Sequence, residues 1–549
     1  MQIFNQIHLR NVQGDLFGGV TAAIIALPMA LAFGVASGAG AEAGLYGAIL
    51  VGLFAALFGG SPTLISEPTG PMTVVMTAVI AHLIASDPEN GMAMAFTVVI
   101  MAGMFQILFG ILKLGKYVTL MPYTVVSGFM TGIGIILIIL QTAPFLGHAT
   151  PPGGVLGTIE QLPSLFANIR TEEMILAALT LGLLLFTPSK IKRYLPPQLI
   201  ALVIGTVISL TIFSAIDIRR IGEISTGLPE FHLPVFSAEQ WQRMVIDALV
   251  LGMLGCIDAL LTSVIADSLT KQQHNSDKEL IGQGMGNMMS GFFGGLPGAG
   301  ATMGTVVNIQ SGARTALSGL ARALILLIVV IWAAGLTASI PLAVLAGIAM
   351  KVGIDIVDWG FLKRAHRISG KGAFIMFGVI ALTVFVDLIT AVGIGLFVAN
   401  VITIRRLSDL QSGDVKAISS PDDSSVELNI EEKELIRQAN GHILLFHLTG
   451  PMIFGTAKAI TRKNIEIEDC DTIILDLAEV PHLGVTSSLA IEESIKDNIA
   501  TGRSVYVVGA KGQPLKRLHD LGFLKDMPTV KVIDERATAM RDAVQQLKN

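Results

Sequence analysis

Charge is scarce in this chain. Only 14% of its 549 residues are Asp, Glu, Lys or Arg, against roughly 25% in soluble proteins. The charges that exist nearly cancel, at −5 net, and no basic stripe gathers anywhere, so a nucleic-acid partner is not expected. Cysteine is almost absent. Cys256 and Cys470 lie far apart in the chain, which excludes a disulfide framework. Catalytic signatures are missing as well: there is no H-E-x-x-H, no G-x-S-x-G and no Walker sequence. No Ser–His or Cys–His pair is brought together by the sequence, so an enzyme is not expected, and no cofactor. Any driving force must come from an ion gradient or from the substrate's own. The opening MQIFNQIHLRNVQGD lacks the basic–apolar–small order of a secretory signal, so no cleaved leader is expected.

What the chain has is apolar length. It is 52% hydrophobic with mean hydropathy +0.68. Runs of about 20 apolar residues, each long enough to span a bilayer, recur from Asp15 to Ile404. The first half offers spans at 15–36, 40–59, 69–85, 92–113, 121–143, 172–187 and 196–214. The second offers 244–266, 279–293, 302–311, 317–337, 339–352, 372–388 and 390–404. Basic residues beside short loops mark cytoplasmic ends: Lys113 and Lys116, Lys190, Lys192 and Arg193, Lys271 and Lys278, Lys363, Arg364, Arg367 and Lys371, then Arg405 and Arg406. Arg219 and Arg220 are the exception, on the side read as outside. Fourteen spans place both termini in the cytoplasm. Seven per half, an odd number, inserts the second half upside down.

The two halves echo one another. GGSPTLISEPTGPMTVV begins at Gly59 and GGLPGAGATMGTVV at Gly294. Each opens the third span of its half with GG-x-P, a non-helical stretch, and then a short helix. Paired, Gly/Pro-broken segments of this kind point to a transporter's binding site. Irregular backbone survives at membrane depth only inside protein or along a cavity. Helices starting near Thr69 and Thr302 direct unpaired N–H groups at whatever precedes them, each start carrying about half a positive charge. Together they suit a small anion. The Gly298, Gly300 and Gly304 spacing is not a dinucleotide loop. An apolar span precedes it, and no acidic residue follows between Ile309 and Val330.

The eighth span, ALVLGMLGCIDALLTSVIADS, carries one mid-span charge, Asp258. Thr262, four residues on, shares its helical face, and Gly255 on that face admits a neighbouring helix. A carboxylate, a hydroxyl and carbonyls from irregular backbone are what a hard cation binds. The alternative is a structural Asp holding helices together. No basic residue stands between Glu279 and Ala313, so an anion at the helix starts has only dipoles for it and Asp258 against it. A cation at Asp258 removes that repulsion, which is the logic of symport. A proton would do the same. Glu67, beside Pro68, is a second candidate proton site or a structural hydrogen bond under the helix start.

ALPMALAFGVASGAGAEAGLYGAI, EPTGPMTVV, the inverted second half and the tail together resemble the sulfate permease (SulP) family of anion transporters over nearly the whole chain. The details are most similar to its sodium-dependent bicarbonate members. The resemblance implies a polytopic α-helical transport domain over 1–408, with repeats at about 15–214 and 244–404, divided into core and gate domains that work as an elevator. It implies Thr69, Ala301 and Thr302 at the anion, with Pro28 and Phe33 lining that side. Sodium, the coupling ion, would sit at Asp258, Thr262 and Gly300, with Ala301 and Thr302 adjoining. Many animal relatives carry an arginine at the start of the tenth helix. This chain does not, which fits symport rather than exchange. A permease for sulfate or a dicarboxylate, with or without proton coupling, is the competing reading. Two helix starts supply only about one unit of charge, which favours a monoanion.

After Arg406 the composition turns polar. Residues 409–435 read as a linker. From 436 to 549, strands ILLFHLTG, TIILDLAEV and SVYVVGA alternate with helices TAKAITRKNI, SSLAIEESIKDNIA and ATAMRDAVQQLK, the pattern of a small α/β domain. DLAEVPHLGVTSSLAIEES resembles the central strand–loop–helix of a STAS domain (sulfate transporter and anti-sigma factor antagonist). Some such domains are phosphorylated on a Ser after an Asp here. In this chain Gly484 stands near the Asp position and Thr486 near the Ser position, which puts that regulation in doubt. The resemblance further implies a homodimer with STAS contacts in the plasma (inner) membrane, the tail in the cytoplasm.

Overall fold

The computed structural model describes residues 4–5, 9–118, 122–188, 191, 196–222, 229–364, 367, 370–386, 388–412, 415–420, 426–453, 459–461, 470–520 and 527–548. It divides into two compact units, Met1–Phe397 and Val398–Asn549.

Every apolar run read from the sequence contains a helix in the first unit or at its end. In order they are α1 (Val12–Ser37), α2 (Ala41–Phe58), α3 (Gly70–Ser86), α4 (Gly91–Ile111), α5 (Tyr123–Phe145), α6 (Thr171–Phe186) and α7 (Pro197–Thr211). Then follow α8 (Trp241–Thr270), α9 (Ser276–Phe292), α10 (Thr302–Gln310), α11 (Leu317–Thr337), α12 (Leu342–Ile356), α13 (Gly370–Phe385) and α14 (Leu388–Ser412). Five of them, α1, α2, α4, α5 and α8, are long and apolar enough to cross a membrane unaided. Besides the four-residue helices Gly115–Val118 and Trp359–Leu362, one longer helix was not expected. Gly154–Ala167 forms in a stretch read as loop, because its 14 residues, broken by Pro163, are too short to register as a span. Lys190, Lys192 and Arg193 lie outside the described residues.

Apolar residues point outward as well as inward. Trp332 is 87% exposed and Phe186 82%, a surface that water does not favour and lipid does. Inside, α1 and α2 pack backbone to backbone. A Cβ on Gly44 would stand 1.9 Å from the carbonyl oxygen of Ala30, so only glycine permits this approach. The two arginines that broke the charge pattern have local partners: Arg219 donates to the buried Glu173 at 2.8 Å, and Arg220 to Ser209 Oγ at 3.0 Å.

Two short strands complete this unit. β1 (Ser66–Glu67) and β2 (Ala299–Gly300) pair antiparallel, Ser66 opposite Gly300 and Glu67 opposite Ala299. They satisfy backbone groups where the two helices are broken, as membrane depth requires. Because the strands run in opposite senses, α3 and α10 leave the ladder from opposite ends.

The second unit is an α/β domain. Strands β3 (Val415–Ile418), β4 (Ile443–Thr449), β5 (Thr472–Glu479), β6 (Ser504–Val508) and β7 (Lys531–Ile533) lie in chain order across one sheet. Only β3 is antiparallel to its neighbour. Helices α15 (Ile430–Ala439), α16 (Val485–Ala500), α17 (Gly512–Asp520) and α18 (Arg536–Lys548) accompany it. Strands β4, β5 and β6 fall where alternation placed them. β3 and the first turn of α15 form inside the stretch read as linker; α15 starts at a capping box of Asn429 and Glu432. Most of the expected TAKAITRKNI helix lies outside the described residues.

Candidate functional site

The crossing of β1 and β2 brings the two broken segments together. Thr69 caps α3 in an extended conformation, with φ −113° and ψ 160°. Ala301 caps α10 likewise, at φ −89° and ψ 108°. Neither cap's side chain bonds its own helix start, so the first-turn N–H groups of both stay available. The ladder is held from outside: Ala301 N–H donates to Ile65 O at 2.8 Å, and Ile65 N–H to Thr305 Oγ1 at 3.0 Å. Asn287 clamps Gly298 from both sides, accepting its N–H at 2.7 Å and donating to its carbonyl at 2.9 Å.

Helix α8 runs past this crossing. Asp258 is buried, and its Oδ2 accepts the Thr69 hydroxyl at 2.7 Å. One turn on, the Thr262 hydroxyl donates to Gly300 O at 2.8 Å and lies 3.0 Å from Thr302 Oγ1. Gly255 is where a neighbour closes in. A Cβ there would meet Gln106 Nε2 of α4 at 2.3 Å and Met72 of α3 at 3.1 Å.

A cavity of about 610 Å³ opens on this arrangement. Phe33, Thr69, Asp258, Gly300, Ala301 and Thr302 all line it. Thr262 reaches it only through its hydrogen bonds, and Pro28 is buried within α1 without lining it. Thr486 belongs to the other unit and stands exposed in the first turn of α16, whose cap is Gly484.

Two cations escaped the sequence reading. Arg322 on α11 is fully buried and donates to the carboxylate of Glu67, to Ser66 O at 3.1 Å and to Ala48 O at 3.2 Å. Glu67 is therefore half of an ion pair beneath the crossing. Lys351 on α12 lines the cavity, so an anion there has more than dipoles in its favour. The sequence carried a signal for Arg322: a lone charge inside an apolar span, the same signal that singled out Asp258. Lys351 looked like a charge at a span's end.

A Ser–His–Asp order also emerged. Ser276 Oγ lies 2.9 Å from His274 Nε2, and His274 Nδ1 2.7 Å from Asp267 Oδ2. The three tie the turn between α8 and α9, and none lines the cavity.

Residues 12–379 match the sulfate permease family and 434–539 the STAS domain. The chain belongs to the sulfate permease family. It is 66% identical over 544 residues to the bicarbonate transporter BicA of Synechocystis sp., covering 99% of this chain and 96% of that one. It is 30% identical over 533 residues to the putative sulfate transporter YvdB of Bacillus subtilis, covering 95% and 96%. Among solved structures, the transmembrane domain of a cyanobacterium bicarbonate transporter BicA aligns with TM-score 0.68 at 72% identity, over 71% of this chain and all of that one. Murine Slc26a9, an anion transporter in the inward-facing state, aligns with TM-score 0.82 over 98% of this chain and 92% of that one; at 18% identity it shares the fold. This member of the family is thus a multi-pass membrane transporter with a C-terminal STAS domain, and not an enzyme.

Proposed function

We propose that this permease takes up bicarbonate together with sodium, the anion held between the N-termini of α3 and α10 and the cation beside it. The hydrogen bond from Thr69 to Asp258 carries the reading, because it joins an anion-side hydroxyl to a cation-side carboxylate. The Thr69 hydroxyl has one proton to give. While it goes to Asp258, none is left for an anion. A sodium ion binding the carboxylate, the Thr262 hydroxyl and the Gly300 carbonyl meets hard oxygen ligands and competes for that bond. The freed Thr69 proton then turns to bicarbonate, alongside the N–H groups of the two helix starts and the Thr302 hydroxyl. Each ion thereby tightens the other, reciprocally. Ala301 contributes backbone to both sides, and Phe33 lines the cavity on the anion's side.

Transport follows if the core carrying α1–α4 and α8–α11 moves against the remaining helices as an elevator. The likeness to BicA at 66% identity supports the substrate. The family's pattern supports an inner-membrane homodimer with a cytoplasmic STAS tail that contributes to the contact; Thr486 is its candidate modification site.

The test is uptake of radiolabelled bicarbonate in proteoliposomes, with and without an inward sodium gradient, against labelled sulfate. Saturable, sodium-stimulated bicarbonate uptake is expected, and Asp258→Asn should abolish the stimulation. Sulfate uptake that ignores sodium and follows pH would move the coupling to a proton on Asp258 and discard the substrate.

A further inference from the structure

The cavity at Thr69 and Asp258 does not end at the crossing. It shares Lys351, Asp355, Gln198 and Met303 with a second cavity of about 530 Å³. That cavity in turn shares Phe17 and Ser311 with a third, of about 390 Å³, beside the start of α1. The three form one string, and Lys351 and Asp355 line the junction of the first two, here called its neck.

The charges along this string are unequal in freedom. Glu67 is neutralised by Arg322, and Asp258 bonds Thr69. Among the described residues lining the first two cavities, Lys351 is the only basic one. Its ammonium lies 2.5 Å from both carboxylate oxygens of Asp355, four residues along the same helix. The Asp355 side chain is 48% exposed and that of Lys351 18%, so the carboxylate end of the pair opens on the cavity, and an i,i+4 ion pair reached by solvent is weak. A weak partner is one the ammonium exchanges easily for a passing anion.

We propose that Lys351 is the docking charge for the anion at the neck, and that Asp355 is its built-in competitor, limiting how tightly the anion pauses there. The inference rests on the transport reading above. It makes a prediction in sign. Removing Lys351 weakens anion capture, and removing Asp355 strengthens it, although each change breaks the same ion pair.

The experiment measures bicarbonate KM and kcat in proteoliposomes for wild type, Lys351→Gln, Lys351→Arg and Asp355→Asn. One unit charge about 4 Å from another in a water-like medium changes binding about fivefold. Lys351→Gln should raise KM by that order with little change in kcat, Lys351→Arg should stay near wild type, and Asp355→Asn should lower KM. If the pair is only a strut on α12, Lys351→Gln and Asp355→Asn move KM in the same direction, and the proposal falls. Should Lys351→Gln fail to fold, Asp355→Asn decides alone: a lower KM supports the proposal, and an unchanged or higher one overturns it. Wild-type uptake that does not saturate with bicarbonate removes the transport reading itself, a result distinct from parallel shifts in a saturable carrier.

Discussion

Arg322 and Glu67 offer a quantitative test of how the crossing is held. The guanidinium is wholly buried and the Glu67 side chain only 6% exposed. Arg322→Met leaves a buried carboxylate without its counter-charge, and strips a donor from the carbonyls of Ser66 and Ala48. Breaking a buried pair from one side costs about 3–5 kcal/mol. Glu67→Gln strands the guanidinium and costs a similar amount. Replacing both ends by apolar side chains, Glu67→Met with Arg322→Met, removes the two charges together and is often close to neutral. The double variant is therefore expected to be more stable than either single one, with a coupling of at least about 2 kcal/mol. The assay is equilibrium unfolding of purified protein in mixed micelles, titrated with sodium dodecyl sulfate. Uptake should fall in both single variants, since Ser66 pairs with Gly300 across the ladder. Additive destabilisation in the double variant would refute the reasoning, because the two charges would then act independently.

Other expectations follow from single contacts. Thr69→Val removes the anion's donor and sodium's competitor at Asp258, so it should weaken bicarbonate and abolish the dependence of each ion's affinity on the other, whereas Thr69→Ser should retain both; bicarbonate affinity with and without sodium decides it. Losing a hydrogen bond to a charged group costs about 1.5–3 kcal/mol, roughly ten- to a hundredfold in affinity. Gly44→Val should separate α1 from α2 and lower the unfolding midpoint, while Gly182→Ala, whose Cβ meets nothing within 4 Å, should be neutral. In the STAS domain, burial alone would raise the carboxyl of Asp476, but bonds from His447 and the Ala478 N–H and the Arg536 charge hold it below the usual range. A depressed value means the ionised form favours the fold. That contribution is full above the unfolded value of about 3.9 and is lost as pH falls through the lower folded value. Proteolysis of the tail in the full-length protein should therefore accelerate below about pH 4, and Asp476→Asn should remove most of that acceleration.

Much of this was legible in the residues because membranes constrain sequence strongly. The broken segments betrayed themselves through Gly and Pro where helix was otherwise demanded, and the helix starts fell within a residue of Thr69 and Thr302. Asp258 was visible as a charge without a neighbour. The pairing of β1 with β2 was not, since two-residue strands have no periodicity to read. Arg322 escaped because its partner, Glu67, lies in the other half of the chain. Lys351 escaped because only the folded chain shows that it lines the cavity beside the crossing. The helix Gly154–Ala167 and strand β3 are short elements in polar or proline-rich surroundings, where local pattern is weak.

The two-residue ladder also constrains the order in which the protein can be made. Ser66 and Glu67 leave the ribosome long before Ala299, Gly300 and Arg322 exist. Until then the first half holds a kinked segment with bare peptide groups and an unpartnered carboxylate at membrane depth. That half must wait in a sheltered state, at the insertion machinery or in a water-filled fold, until the second half arrives to close it. An isolated first half, expressed alone, should accordingly be degraded, and co-expression with the second half should rescue it.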